Sequence, residues 1–359
     1  MGNRIKSVTI ALSLQTMNEM KRIVMNKTTK MLATSLLVAV GLAACGSNSS
    51  SSSTNAANRL TMTTFGELTT LDSADYDDVP SSDMMGQIFE GLYRVAANNK
   101  VELGMAAQEP KVSEDGLVYT FTLRDTKWSD GSAVKAQDFV FTYRKLVNPQ
   151  EGHVAQSADV FKNAKKIRSG ELPVEELGVK ALDDKTLEIT LENPAPYLPK
   201  LLTGSRFLPQ SEAVAQKLGD QYGSNVSNVV VNGPFKLEGW TGSELTWKLV
   251  KNADYWDASN VALNEVTVNV SKEVATSVQL FDSKQVQYTT ISDQFVDQYK
   301  SQPTFHAQPK ATMGYMSFNT LKPTTANQHF RRAIAMAYDK QALTNNVLKD
   351  GSIPSTGLI

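Results

Sequence analysis

The chain has 359 residues, 36 of them basic and 37 acidic, with 41% hydrophobic and 20% charged side chains. These ordinary globular proportions exclude a collagen-like repeat and wholesale disorder, and the near-neutral balance argues against a basic nucleic-acid binder. The length accommodates two or three domains with cores of their own.

The charge is unevenly placed. Residues 1–44 hold six basic side chains (Arg4, Lys6, Lys21, Arg22, Lys27, Lys30) against Glu19, so from Cys45 onward 30 basic residues face 36 acidic ones. Lys27 and Lys30 precede the apolar run Met31–Leu42, which is too short for an ordinary membrane-spanning helix. Leu42-Ala43-Ala44-Cys45 follows and resembles the lipobox of bacterial lipoproteins, whose cysteine is diacylated and becomes the mature N-terminus. Residues 25–44 are therefore expected to be a lipoprotein signal peptide and Cys45 the lipidation site. Residues 1–24 fit no leader and read as an over-extended N-terminus with Met25 as the true start. Cys45 is the sole cysteine, so no intramolecular disulfide can form. Residues 45–58 are serine-rich with almost nothing to bury, the composition of a flexible tether.

The body alternates helices and strands. Ser81 is expected to cap a helix that turns Met84, Met85, Ile88, Phe89 and Leu92 inward. Residues 118–123 alternate Tyr119, Phe121 and Leu123 against Val118, Thr120 and Thr122, which predicts a strand. Residues 136–147 place Phe139, Val140, Tyr143 and Val147 on one helical face, and Asn148-Pro149 stops them. Residues 179–182 and 187–191 read as two strands joined by an Asp183-Asp184 turn. Residues 245–250 and 266–270 are two more strands. Val274, Val278 and Phe281 sit at helical spacing. So do Phe330, Ile334, Tyr338, Leu343 and Val347 within 327–350, with Asp339 an internal cap and Gly351 the stop. The class is α/β (mixed α+β) and multi-lobed, with no internal repeat.

Motifs for chemistry are sparse. His153, His306 and His329 are far apart and lack metal-ligand spacing, and no glycine-rich phosphate loop is present, so neither metal nor cofactor is expected. Ser132-Ala133-Val134-Lys135 matches the Ser-x-x-Lys of serine acyl enzymes, in which a lysine one helical turn on helps deprotonate the serine. Here the serine abuts an Asp130-Gly131 turn and no Lys-Thr-Gly follows. Asp72, Asp75, Asp77 and Asp78 form a carboxylate cluster without the glycine and glutamate of a calcium loop, and a solvated loop explains it better. What remains is a non-catalytic, surface-held ligand receptor.

Several segments, in order, resemble the oligopeptide-binding lipoproteins of ABC importers, the extracellular solute-binding proteins of family 5. They are Thr70-Leu71-Asp72, Ile88-Phe89-Glu90-Gly91-Leu92, Glu114-Asp115-Gly116, Leu123-Arg124 and Lys127-Trp128-Ser129-Asp130-Gly131. Asn232-Gly233-Pro234-Phe235, residues 251–256, Phe318-Asn319-Thr320 and Ala337-Tyr338-Asp339 continue the series. The resemblance implies a two-lobed periplasmic-binding-protein-like fold. Residues 59–88 and 206–310 would build lobe I, 89–205 a subdomain packed on it, and 311–359 the start of lobe II. It also implies that Trp128 is structural.

The implied function is capture of extended oligopeptides through their main chain, for delivery to an ABC transporter permease and its ATPase, by a monomer anchored through lipid at the extracytoplasmic face of the membrane. Strand-like pairing to the peptide backbone gives affinity without sequence specificity. On the same basis Asp77, Val79, Met313, Gly314 and Tyr315 are carried over as ligand-binding residues, with 312–317 as a strand. Two departures stand out. Residues 150–161 lack the expected tyrosine-bearing loop, and the family continues where this sequence stops at Gly357-Leu358-Ile359. Lobe II is therefore expected to be incomplete, with weak peptide binding as the consequence. Competing readings are a receptor for nickel, haem, an opine or a sugar, the serine acyl enzyme, and a non-functional truncated product.

Overall fold

The computed structural model of the chain describes residues 8–10, 58–96, 99–151, 155–307 and 313–357. The expected signal peptide and Cys45 lie outside these residues. Contacts gather the chain into two compact units, one spanning Asn55–Lys272 and one containing Glu273–Ile359. Strand β1 (Val8–Ile10) belongs with the latter.

The first unit opens with β2 (Arg59–Thr64), helix α1 (Val79–Ile88) and the antiparallel pair β3 (Tyr93–Val95) and β4 (Val101–Leu103). Then come β5 (Lys111–Val112), β6 (Val118–Thr122), α2 (Ala136–Val147), α3 (Ala164–Arg168), β7 (Val179–Asp183) and β8 (Thr186–Thr190). The unit closes with α4 (Leu198–Leu201), α5 (Glu212–Leu218), β9 (Phe235–Glu238), β10 (Thr246–Lys251) and β11 (Glu265–Val270). One sheet has the order β5-β6-β8-β7 and is antiparallel throughout. The other, β2-β11-β10-β9, is an antiparallel meander onto which β2 adds in parallel. The chain is thus a mixed α/β protein, as expected.

Alternation explains the first sheet. Phe121 faces Leu187 and Tyr119 faces Ile189 across β6 and β8, and Phe121, Leu187 and Ile189 are fully buried. Such cross-strand pairs are the unit of sheet stabilisation. Helix α2 buries Phe139, Val140, Tyr143 and Val147, the face its periodicity assigned. Tyr143 stacks on Phe161 at 5.2 Å between ring centroids and meets Phe207 edge-on at 5.7 Å. These pairs add directional energy to simple burial.

Three details differ from expectation. Helix α1 ends at Ile88, with Phe89 its extended C-cap, so Phe89 and Leu92 are buried beyond the helix rather than on it. The cap of α1 is Asp78, whose carboxylate accepts from Ser81 N at 2.7 Å, and Pro80 sits in the first turn. Proline is at home there because its missing N–H has no intrahelical role, which draws the helix start ahead of Ser81. The β7–β8 turn is Asp184-Lys185, because a bulge between Ala181 and Asp183 extends β7 by one residue.

The second unit contains α6 (Val274–Asp282), β12 (Thr289–Ile291), α7 (Asp293–Tyr299), α8 (Pro323–Ala326), α9 (Gln328–Ala337) and α10 (Lys340–Ala342), which runs into a π turn over residues 343–348. Strand β1 pairs antiparallel with β12, Val8 opposite Ile291. Val278, Ile291, Val296 and Tyr299 form a small core. Helix α9 ends at Ala337, and Asp339 caps the next helix by accepting from Ala342 N at 2.8 Å, the internal cap its position suggested. Helix α9 has no buried residue, and Phe330 and Met336 are 40% and 86% exposed. Among the described residues no helix is long and apolar enough to cross a membrane.

Candidate functional site

Asp77 and Val79 flank the cap of α1, on a loop held from both sides. Thr69 Oγ1 donates to Asp78 Oδ2 at 2.5 Å, and the N–H groups of Thr69 and Thr70 donate to Ser81 Oγ at 3.2 and 3.3 Å. Arg206 lies over the Tyr76 ring at 4.4 Å and donates to the carbonyls of Ala74 and Tyr76 at 3.2 and 2.5 Å. Asp77 is exposed and Val79 is 50% exposed, so their side chains face water while the backbone beneath them is fixed. Preorganisation of this kind lowers the ordering cost of binding.

The other predicted residues lie in the second unit. Gly314 is exposed, Tyr315 is 74% exposed and Met313 is half-buried. Residues 313–317 form no strand, since a ladder needs a flanking strand and none pairs with them among the described residues. Asp77 with Val79 and Met313 with Gly314 and Tyr315 thus belong to different compact units. A polar cavity of about 480 Å³ in the second unit, lined by Asp297, Lys300, Thr344, Asn345, Lys349 and Ser352, includes none of them.

The Ser-x-x-Lys motif is not arranged as a nucleophile and base. Ser132 Oγ donates to Asp130 Oδ1 at 2.6 Å, while Lys135 Nζ pairs with Asp184 at 3.0 Å. In the carboxylate cluster Asp77 is exposed, as a solvated loop would have it, but Asp72 is not. Asp72 is buried, takes Lys145 Nζ at 2.6 Å and Gln210 Nε2 at 2.6 Å, and accepts from Ala74 N at 2.9 Å. Among the described residues no group of three metal-type side chains comes together.

Sequence reasoning missed a buried node centred on Glu90, which is 4% exposed. Its carboxylate accepts from the Tyr255 hydroxyl and the Trp256 indole N–H and pairs with Arg94 at 3.4 Å. Arg94 also reaches Asp257 at 3.1 Å, and the Arg124 guanidinium stacks on Trp256 at 4.0 Å. Asn232 binds the Glu90 backbone twice, accepting from its N–H and donating to its C=O, each at 3.0 Å. Burial pushes the Glu90 carboxyl above its ordinary 4.5, against the pull of Trp256, Tyr255 and Arg94. Between those two values the folded chain holds a proton that the unfolded chain has released. This group's stabilising share is therefore fully present below about 4.5 and lost as pH rises through the raised folded value. Glu90→Gln is expected to flatten that part of a stability–pH profile measured by urea unfolding. An unaltered slope would assign the titration to another group, such as Asp138, which burial also pushes up.

A family model described as bacterial extracellular solute-binding proteins, family 5 Middle, matches residues 100–359. The chain belongs to this family. The oligopeptide-binding protein OppA of Bacillus subtilis is 30% identical over 291 residues, 79% of this chain and 53% of that protein. A protein named probable deoxycholate-binding periplasmic protein YgiS, from Escherichia coli, is 31% identical over 288 residues, 78% of this chain and 53% of that one. A solved structure of Listeria monocytogenes OppA bound to peptide matches with a TM-score of 0.74 at 34% identity, over 85% of this chain and 61% of that one. The chain spans about half the length of the curated relatives it matches.

Several of the segments that carry the family resemblance are scaffold. Arg124, Asn232, Tyr255 and Trp256 meet at the Glu90 node, and Gly233 N–H donates to the Ile88 carbonyl at 2.8 Å. Gly233 shows how tightly. A Cβ there would lie 2.5 Å from the Ile88 carbonyl carbon and 2.7 Å from Phe89 N. Backbone cannot yield as a side chain tip can, so Gly233→Ala is expected to cost about 1–3 kcal/mol, readable as a lower urea midpoint.

Proposed function

We propose that the protein is the peptide-capturing component of a bacterial ABC importer, working as a monomer at the extracytoplasmic face of the membrane. Cys45 carries the lipid, residues 45–58 are the tether, and the captured peptide passes to the permease and its ATPase. Asp77, Val79, Met313, Gly314 and Tyr315 contact the peptide, largely along its main chain. The observation that carries this reading is the family membership together with the likeness to a peptide-bound structure at 34% identity over 85% of the chain. The exposed side chains and fixed backbone around Asp77 and Val79 support it, because a rigid polar edge can pair with any peptide whatever its sequence. Mass spectrometry of molecules that the protein retains at equilibrium from a cell extract, with no washing step to strip weak ligands, is expected to find a mixture of short peptides. Recovery of one non-peptide solute would overturn the reading. A bile acid is the specific competitor, since a relative of equal identity bears a deoxycholate-binding name.

Cys45→Ser is expected to abolish partitioning into the detergent phase. A diacylglyceryl group holds a membrane firmly where a single chain does not. Unchanged partitioning of the variant would remove the lipid from the proposal.

A further inference from the structure

Phe65 directly follows β2 and is 51% exposed, although aromatic side chains carry the largest apolar surface to hide. Its neighbour Gly66 approaches Pro80 so closely that a Cβ at 66 would lie 2.8 Å from Pro80 Cγ. Val79 immediately precedes Pro80. The contact between residues 66 and 80 therefore has a large, half-exposed apolar side chain on the residue beside each partner. The contact itself is fixed. Thr69 and Thr70 are hydrogen-bonded to Asp78 and Ser81, and Glu67 pairs with Lys272 at 2.5 Å. Single exposed apolar residues are ordinary, but these two flank one fixed contact between the end of β2 and the start of α1, next to Asp77.

We propose that Phe65 and Val79 form an apolar platform that receives one side chain of the bound peptide and biases the protein toward a leucine or phenylalanine at that position. The inference rests on the peptide-binding reading above. The charges around the platform fit it. Arg206, the cation tied to this loop, is spent on the Tyr76 ring and on two carbonyls, so it offers nothing to an acidic side chain. Asp77 is exposed beside Val79 and repels a carboxylate. An apolar side chain instead removes water from Phe65 and Val79 at no electrostatic cost.

The test uses pentapeptides that differ at one position only, as glycine, leucine, phenylalanine or aspartate, each position scanned in turn. Ligand-observed NMR with the full chain reads their relative affinities down to the millimolar range. The wild-type chain is expected to favour leucine or phenylalanine over glycine by about tenfold at one position, the scale of one apolar group in a pocket, and to reject aspartate there. Phe65→Ser and Val79→Ser should each reduce that preference severalfold without lowering the thermal unfolding midpoint. If the midpoint of Phe65→Ser falls, Phe65→Leu decides: retained preference supports the platform and lost preference overturns it. Peptide binding with an unaltered preference in both serine variants would overturn the platform and leave the peptide-binding reading standing. No binding of any peptide by the wild-type chain would overturn both.

Discussion

Trp128→Ala is expected to lower the stability of the first unit by about 3–5 kcal/mol, the usual cost of deleting a buried tryptophan. Trp128 is 1% exposed, and its ring meets Phe89 edge-on at 6.4 Å. Its indole N–H donates to Asp138 Oδ2 at 3.1 Å. That carboxylate is itself buried and also accepts from Lys135 N and Glu212 N at 2.9 and 3.0 Å. The substitution therefore opens a cavity and takes one of three donors from a buried acid. Trp128→Phe separates the two effects. It keeps most of the ring volume, leaving a smaller cavity, and removes the donor, whose loss alone should cost about 1–3 kcal/mol. Urea unfolding followed by far-ultraviolet circular dichroism measures both. A stable Trp128→Ala variant that had selectively lost ligand binding would contradict the structural assignment of this residue.

How much of this was legible depends on the range of the interactions involved. Helix α2 carries its start, its apolar face and its Asn148-Pro149 stop within a dozen residues, so periodicity places it. Strands β6 and β8 show their buried face by alternation alone. The cap of α1 was misplaced because Ser81 and Asp78 are both cap-forming types. What separates them is Thr69 and Thr70, about twelve residues upstream, whose N–H groups occupy the Ser81 hydroxyl. Asp72 looked solvated for a similar reason, since its cation lies 73 residues further on. Glu90 had one local sign, Arg94 four residues on, but its partners at 232, 255 and 256, which make it a buried node, are more than 140 residues away. Asp77 and Val79 came from the family resemblance. Phe65, whose neighbour Gly66 packs on Pro80, came from neither pattern nor resemblance, because an exposed phenylalanine after a strand has no periodicity to betray it.

The second large effect is expected at Lys145. Its ammonium lies 2.6 Å from Asp72 Oδ2 and 5.8 Å from the centre of the Tyr222 ring, and the side chains of Lys145 and Asp72 are only 16% and 10% exposed. Lys145→Met keeps the aliphatic stem and its packing, and it leaves Asp72 without a countercharge. Removing one partner of a buried pair costs about 3–5 kcal/mol. The lower end applies here, because Gln210 Nε2 and the N–H groups of Ala74 and Asp75 still donate to Asp72. The loss should also reach the candidate site. Asp72 begins the segment that Arg206 and the Asp78 cap hold in place, and Lys145 ties it to α2. A double-mutant cycle isolates the pair. Asp72→Asn with Lys145→Met removes both charges and should be less destabilised than the sum of the single variants, by a coupling of about 0.5–3 kcal/mol. Additive losses, or a cost below about 1 kcal/mol for Lys145→Met, would mean that water screens this pair as it does an exposed one. In that case Arg206 and the hydrogen bonds of Thr69 and Thr70 to Asp78 and Ser81 would hold the segment that carries Asp77 and Val79, with no share from Lys145.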